Sequence, residues 1–335
     1  HLDCYRANLT LTDKVFSAVP IGAIRVRDAV QMCALAHGLT MEEVSVRPVL
    51  VGNININSPR RLDGAMAEAA IELAMLGQPV IVTPFTLMGA MAPVTLAAAL
   101  VQQNAEALFG VCLVQLAGNG APVVYGGFTS NVDMRSGAPA FGTPENAKAN
   151  LAGGQLARRY GLPYRTSGCN ASNVVDAQAV YETQMSLWSA VLGHGNLVYH
   201  AAGWLEGGLV ASFEKVVIDA EMLGAMAAVF APIEVNEEAL GLSAIASVEP
   251  GGHFFGAEHT MARYEDAFYE PLVSDWQNHE NWVLAGGLDT TQRATQLWQS
   301  VLANYQLPML DPVCSEALDD YVAKRKNEIG NNDLD

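Results

Sequence analysis

The sequence predicts an α/β chain built as a TIM-type (β/α)8 barrel, truncated at its N-terminus so that the first strand or strands are missing. Three observations predict it. Short β-branched runs, apolar on both faces, recur along the chain, which is the pattern of a parallel sheet covered on both sides. A helix-length segment separates each run from the next, at roughly the 30–43 residue period of a βα repeat. No G-x-G-x-x-G follows a strand and no Walker A loop occurs, which argues against a dinucleotide or nucleotide fold.

The elements follow in order. Arg47-Pro48-Val49-Leu50-Val51 reads as a strand. Ser58-Pro59 places a cap residue before a Pro and predicts a helix over Arg61–Leu76. Gly77-Gln78-Pro79 then leads into a strand at Val80–Thr83. Ala92-Pro93 opens an Ala-rich helix reaching about Ala117, and Gly118 to Pro122 leads into the strand Val123–Tyr125. Thr143-Pro144-Glu145 opens a helix running to Tyr160, with the acid at the favourable end of the helix dipole. Gly161-Leu162-Pro163 precedes a strand at Tyr164–Thr166. A helix over Val174–Leu192 and a strand over Leu197–His200 come next, then helices over Val210–Phe230 and Asp289–Tyr305. Weaker strands are expected near Ile233 and Gly252–Phe255. No Pro/Ser linker or charge run divides the chain, so residues 1–330 read as one domain and 331–335 as a tail. The chain opens without Met at His1-Leu2-Asp3-Cys4, and residues are expected to precede it.

Composition narrows the function. The chain has 335 residues, half of them hydrophobic, enough to bury a large core. Its 35 acidic and 18 basic residues leave a formal charge of −17. Such a surface repels nucleic acid and anionic membranes, which need clustered Lys and Arg; it serves solubility alone or mildly favours a cationic ligand. The five cysteines, Cys4, Cys33, Cys112, Cys169 and Cys314, are odd in number and widely spaced, with no C-x-x-C or H-x-C pair. They encode neither a disulfide framework nor a metal cluster, and they suit a reducing, cytoplasmic compartment. Cys33 and Cys112 sit in apolar helical patterns and are expected in the core. No uninterrupted apolar run approaches the roughly 20 residues that span a bilayer; the longest, near Gly89–Val101 and Met222–Ile233, are too short. No signal peptide is visible.

In a barrel, chemistry sits at the carboxyl ends of the strands. That rule selects Asn53–Asn57, Thr83–Met88, Tyr125–Arg135, Thr166–Asn173 and Tyr199–Glu206, with His253–His259 as a further segment. These hold aromatic and acidic residues together: Tyr125, Phe128, Asp133, Tyr199, Trp204, Glu206, Phe254 and Glu258. Ring faces attract an ammonium by about 0.5–2 kcal/mol each, and a carboxylate supplies the countercharge. The same aromatics could equally pack beneath loops. His200 reads as a general acid or as a hydrogen-bonded wall residue. His253, Glu258 and His259 do not match a zinc-protease spacing. Gly251-Gly252-His253 is a tight turn or an anion nest. Asp133 and Arg135 read as an ion pair ordering a loop. No G-x-S-x-G elbow supports acyl transfer.

Several blocks of the sequence resemble the trimethylamine methyltransferase family of corrinoid-dependent enzymes. They include Arg47-Pro48-Val49 through Asn57-Ser58-Pro59, Gly77-Gln78-Pro79-Val80, and Leu100-Val101-Gln102-Gln103-Asn104-Ala105-Glu106. Gly120 to Gly126, Asp133-Met134-Arg135-Ser136-Gly137, and Gln155 to Pro163 continue the likeness. His200 to Gly207, Pro250 to Phe254 and Glu258-His259-Thr260 complete it, so that it covers nearly the whole chain. The resemblance implies a (β/α)8 barrel that demethylates trimethylamine or a quaternary amine such as glycine betaine. The methyl acceptor it implies is the Co(I) corrinoid of a cognate partner protein, with no metal held by this chain. It also implies pyrrolysine in the trimethylamine enzymes, placed on Thr166–Asn173, where this chain has only standard residues. That departure shifts the expectation to the non-pyrrolysine branch and a betaine-like substrate. The expected catalytic residues are His200, Asp133 and Glu206; the expected substrate-binding residues are Tyr125, Phe128, Asn170, Tyr199, Trp204, His253 and Phe254. A substrate carboxylate would take its donor from Arg135, Asn170, His200 or His253. A homo-oligomer is expected. A metal-free barrel lyase or decarboxylase using His200, and a non-catalytic betaine binder, are the competing readings.

Overall fold

The computed structural model describes residues 1–18 and 21–330. The expected tail at 331–335 lies outside them. The described chain forms two compact units, residues 1–211 with 301–330, and residues 212–300.

The first unit is a curled parallel sheet with helices packed on it. Its strands are β1 (Ser17–Ala18), β2 (Val51–Ile56), β3 (Val80–Met88), β4 (Val123–Gly126), β5 (Phe128–Val132), β6 (Pro139–Ala140), β7 (Tyr164–Ser167) and β8 (Leu197–Tyr199). The parallel order is β1-β2-β3-β4-β7-β8. β3 is long because it serves two partners. Val80–Val82 pair with Val123–Tyr125, and Phe85–Met88 pair with Phe128–Asn131 across the break at Gly127. The Ser17 hydroxyl at one edge of the sheet meets the Tyr199 hydroxyl at the other, 3.2 Å away. Only a strongly curled sheet brings its outer strands so close. The observed architecture is thus an α/β half-barrel.

The helices of this unit are α1 (Leu2–Leu11), α2 (Gly22–Ala36), α3 (Met41–Val46), α4 (Gly64–Met75), α5 (Leu96–Ala117), α6 (Pro144–Tyr160) and α7 (Ala177–Leu192). α6 starts as its sequence predicts: the Thr143 side chain accepts from the Asn146 amide, Pro144 follows, and Gly161 closes the helix at φ 65°. α4 starts later than expected. Ser58 does not cap it, because its hydroxyl donates to buried Glu106 of α5 at 2.5 Å. Asp63 caps instead, accepting from the Met66 amide. β2 also starts later than expected, since the Val49 amide is committed to the Gln78 side chain rather than to a strand. α6 and α7 approach closely: a Cβ on Gly154 would sit 1.9 Å from the Gly193 carbonyl oxygen.

α5 is the one described helix long and apolar enough to cross a membrane by length and composition, with a third of its most apolar stretch buried. The apolar run read as too short in sequence, near Gly89–Val101, is followed on α5 by Gln102, Gln103, Asn104 and Glu106. Gly110 of α5 lies against Val82 of β3, so one face of this helix packs on the sheet. Cys33 is buried as expected, but Cys112 on α5 is exposed.

The second unit holds α8 (Phe213–Phe230), α9 (Glu237–Leu240), α10 (Leu242–Ser247), α11 (Glu258–Met261), α12 (His279–Leu284) and most of α13 (Thr290–Ala303). No strand forms near Ile233 or Gly252–Phe255, where strands were expected; these segments are turns and irregular chain. Glu214 of α8 accepts from Trp298 and Thr295 of α13, and Phe213 stacks on Trp298. Lys215 and Asp219 form a buried i,i+4 ion pair. α14 (Pro312–Ile329) returns to the first unit. There its Tyr321 and Arg325 donate to buried Asp28 of α2.

Candidate active site

Strand alternation decides which side chains face the inside of the curl. On β7, Tyr164 packs against Tyr125, and Thr166 donates to Asn150 of α6. Both therefore face the helices. Arg165 and Ser167, one residue out of phase, face the opposite side. Arg165 is 2% exposed, and its guanidinium carbon lies 5.5 Å from the Phe128 ring centroid and 4.7 Å from that of Tyr199. Phe128 continues into an aromatic cluster. Phe141 stacks on it at 5.2 Å, Phe85 lies 5.1 Å away, His200 5.6 Å and Trp204 6.3 Å. His200 and Trp204 are closer still, at 4.2 Å.

Two loops at the carboxyl ends of β7 and β8 hold this cluster. Asn170 donates to the Trp204 carbonyl and to Thr183, and its own carbonyl accepts from the Trp204 indole at 3.0 Å. Glu182 of α7 accepts from the Ala171 and Ser172 amides, and the Glu206 amide donates to the Ser172 carbonyl. His200 ends its strand by taking a left-handed backbone at φ 58°, a conformation uncommon for a residue with a Cβ. The turn swings the imidazole onto Trp204.

The electrostatics are unusual. Burial, and then the charge of Arg165, push the His200 pKa down to about 3, so the ring is neutral at physiological pH. Burial also lowers Arg165, to about 10, which leaves it charged. Five buried polar atoms lack a partner among the described residues: Arg165 Nε and Nη1, Ser167 Oγ, Asn170 Oδ1 and His200 Nδ1. All belong to this one region. Buried polar groups are normally satisfied, so their clustering marks a place built to receive something polar. No group of three or more His, Cys, Asp or Glu side chains that could hold a metal occurs among the described residues.

Phe128, Asn170, Tyr199, His200 and Trp204 are brought together here. Tyr125, Asp133 and Glu206 of the same unit are not among them. Tyr125 is fully buried on the helix side of β4, where its hydroxyl donates to Asn104 of α5 at 3.1 Å and its ring meets Tyr160. Its position in strand alternation, one residue out of phase with an inward face, puts it there. Asp133 is exposed and forms no ion pair with the Arg135 side chain. Its carboxylate orders the loop by accepting from the Arg135 and Ser136 amides and the Ser136 hydroxyl, which hold its pKa below the usual range. Glu206 is exposed at a left-handed turn, φ 49°. His253 and Phe254 belong to the second unit and are exposed within it, where His253 lies 5.7 Å from the Phe255 ring. His259 meets the Glu238 carbonyl oxygen at 3.1 Å. Arg165, Phe85 and Phe141 were missed. The available signal for Arg165 was a charged residue inside a short strand of a parallel sheet, where both faces are normally apolar.

Residues 1–330 match the sequence profile of the family described as Trimethylamine methyltransferase (MTTB). The chain belongs to the trimethylamine methyltransferase family. It is 38% identical over 331 residues to a glycine betaine methyltransferase of Desulfitobacterium hafniense strain Y51, a match covering 98% of this chain and 69% of that protein. It is 33% identical over 310 residues to the trimethylamine methyltransferase MttB of Desulfitobacterium hafniense strain DSM 10664 / DCB-2, covering 92% of this chain and 62% of that one. The match to the trimethylamine methyltransferase MttB of Methanosarcina barkeri is 34% over 217 residues, 64% of this chain and 43% of the relative. The chain thus spans about two thirds of the first two relatives and less than half of the third. Members of the trimethylamine methyltransferase family act on methylated amines, and the aromatic cluster around Phe128 is the one described place in this chain where ring faces and unpartnered polar atoms coincide.

Proposed function

We propose that the protein carrying this chain moves a methyl group from a quaternary amine, such as a betaine, to the Co(I) corrinoid of a cognate partner protein. The reading takes residues 1–330 as one cytoplasmic methyltransferase domain, a (β/α)8 barrel of which the curled sheet is a part, assembling as a homo-oligomer. The observation that carries it is the electrical character of the aromatic cluster: ring faces beside a histidine held neutral, with no carboxylate bonded into it among the described residues.

That character suits one kind of methyl donor. A quaternary nitrogen that loses a methyl leaves as a neutral tertiary amine and needs no proton. Trimethylamine leaves as an amide unless its nitrogen carries a proton, so its reaction needs either the ammonium form bound or a proton donor in the site. An imidazole with a pKa of about 3 is not protonated at neutral pH and cannot fill that role. The partner's Co(I) supplies the nucleophile. This chain's part is then to bind, orient and exclude water. Trp204, beside the neutral His200, offers a ring face to the methyls, while Phe128 and Tyr199 wall the site and carry Arg165. Asn170 fixes the Trp204 loop. The cluster has few full charges to stabilise the ammonium, which favours reaction, because charge leaves nitrogen in the transition state. The lyase reading loses its base for the same reason that the acid is lost: a ring this hard to protonate is a poor proton acceptor.

The test combines full-length protein, the reduced corrinoid partner, and glycine betaine, choline or trimethylamine in turn, following the cobalt absorbance. Conversion of Co(I) to methyl-Co(III) with a quaternary amine, and none with trimethylamine, is expected. Conversion with trimethylamine alone would overturn the choice of donor. No conversion with any amine, using a partner shown competent with another methyltransferase, would leave a betaine-binding protein.

A further inference from the structure

A buried guanidinium is costly unless it is paired. Arg165 is 2% exposed, yet its Nε and Nη1 have no partner among the described residues. The Phe128 and Tyr199 rings offset part of the cost through their faces, but rings do not satisfy N–H groups. Around it, Ser167 Oγ can donate as well as accept, while Asn170 Oδ1 and His200 Nδ1 are acceptors or, for the histidine in its other tautomer, a donor. Cationic cages normally pair ring faces with a carboxylate. Here the rings nearest the strand ends already carry a cation, so a second, bare cation placed against them meets repulsion. A ligand that brings its own anion removes the problem.

We infer that Arg165 is the anchor for a carboxylate on the methyl donor, and that the site selects a zwitterion, a quaternary ammonium separated from a carboxylate by a short spacer, over simple ammonium ions. The inference rests on the proposed methyl-donor reading for the ammonium end, and on Arg165 itself for the anionic end. In the bound state the guanidinium donates to the carboxylate, with the Ser167 hydroxyl in the same inward-facing row of β7. The trimethylammonium group then lies toward His200 and Trp204, at the carboxyl ends of the strands. Arg165 acts by fixing the donor's position and class, and no bond to it forms or breaks.

Calorimetry on the full protein, without any corrinoid, separates the ends of the ligand. Glycine betaine should bind, and its carbon isostere 3,3-dimethylbutyrate, which keeps the carboxylate and loses the positive charge, should compete with it. Choline and tetramethylammonium should bind more weakly than betaine. Arg165→Met should lower betaine affinity by about 10- to 100-fold, the worth of a charge-assisted hydrogen bond, and leave choline affinity unchanged or raised. Arg165→Lys keeps the charge without the planar fork and should fall between. Equal losses for betaine and choline in Arg165→Met would assign Arg165 a packing role and overturn the inference. If Arg165→Met does not fold, the wild-type competition decides: failure of 3,3-dimethylbutyrate to displace betaine overturns it. Arg165-dependent betaine binding without methyl transfer would defeat the proposed function and leave this inference standing. Transfer from choline, indifferent to Arg165, would do the reverse.

Discussion

Mild acid should destabilise this protein through His200. The imidazole is packed against Trp204 and Phe128 and shares its surroundings with the Arg165 charge, so its pKa falls from 6.5 to about 3 in the folded state. In the unfolded chain it returns to the ordinary value. Below that value the unfolded state takes up a proton that the folded state refuses until the pH nears 3. The stability linked to the neutral ring is therefore complete above the unfolded pKa and is lost as pH falls through this window. Each unit costs about 1.4 kcal/mol there, so a drop from pH 7 to 5 removes about 2 kcal/mol. Carboxylates titrate over part of the same range, so the comparison is with His200→Asn, which cannot titrate and tolerates the left-handed backbone at this position. Urea unfolding of both proteins at a series of pH values reads the effect. The difference in unfolding free energy should shift by about 2 kcal/mol toward the variant between pH 7 and 5. Parallel profiles for the two proteins would refute the claim that the fold holds His200 neutral.

Other expectations follow from the placement of single residues. Tyr125→Phe removes a buried hydroxyl and strands its acceptor on Asn104; it should cost about 1–2 kcal/mol in urea unfolding and leave betaine affinity unchanged in calorimetry, since the ring faces the helices. Gly154→Ala drives a Cβ into the Gly193 carbonyl and should cost about 3 kcal/mol. Gly161→Ala, with open space around it but φ 65°, should cost only about 1 kcal/mol in the same measurement. Asp133→Ala should speed hydrogen exchange at the Arg135 and Ser136 amides, which lose their acceptor, without changing amine affinity. A fall in affinity would return Asp133 to the site.

Much of the helical layer was legible because its signals are local. Thr143-Pro144 opens α6 and Gly161 closes it with no help from the rest of the chain. β3, β4, β7 and β8 were found near their observed starts, since β-branched runs after Gly and Pro read the same alone as in the sheet. Ser58-Pro59 looked like an equally good start, but Glu106, 48 residues away in sequence, claims the Ser58 hydroxyl. β1 escaped notice because two residues carry no pattern; it exists through its pairing with β2. The expected strands near Ile233 and Gly252–Phe255 show the reverse error, β-branched and aromatic residues with no neighbouring strand to pair with.

The sequence by itself determined the class of the fold and the neighbourhood of the site. Alternating helices and doubly apolar strands imply a parallel sheet, and in such a sheet the loops after the strands carry function, so Tyr199, His200 and Trp204 could be named from their positions alone. Their family blocks added the chemistry of methylated amines. Only the tertiary structure decided which side chains share an environment. A strand's two faces differ by one residue of phase, and that phase is set by pairing across strands distant in sequence. It sent Tyr125 to the helices and Arg165 to the interior. Burial then did what no sequence pattern records: it held His200 neutral and left Arg165 charged and short of partners. The expected cage of rings and acids is, in the folded chain, a cage of rings around a buried cation, because Asp133 and Glu206 stay in water, where their charges cost least.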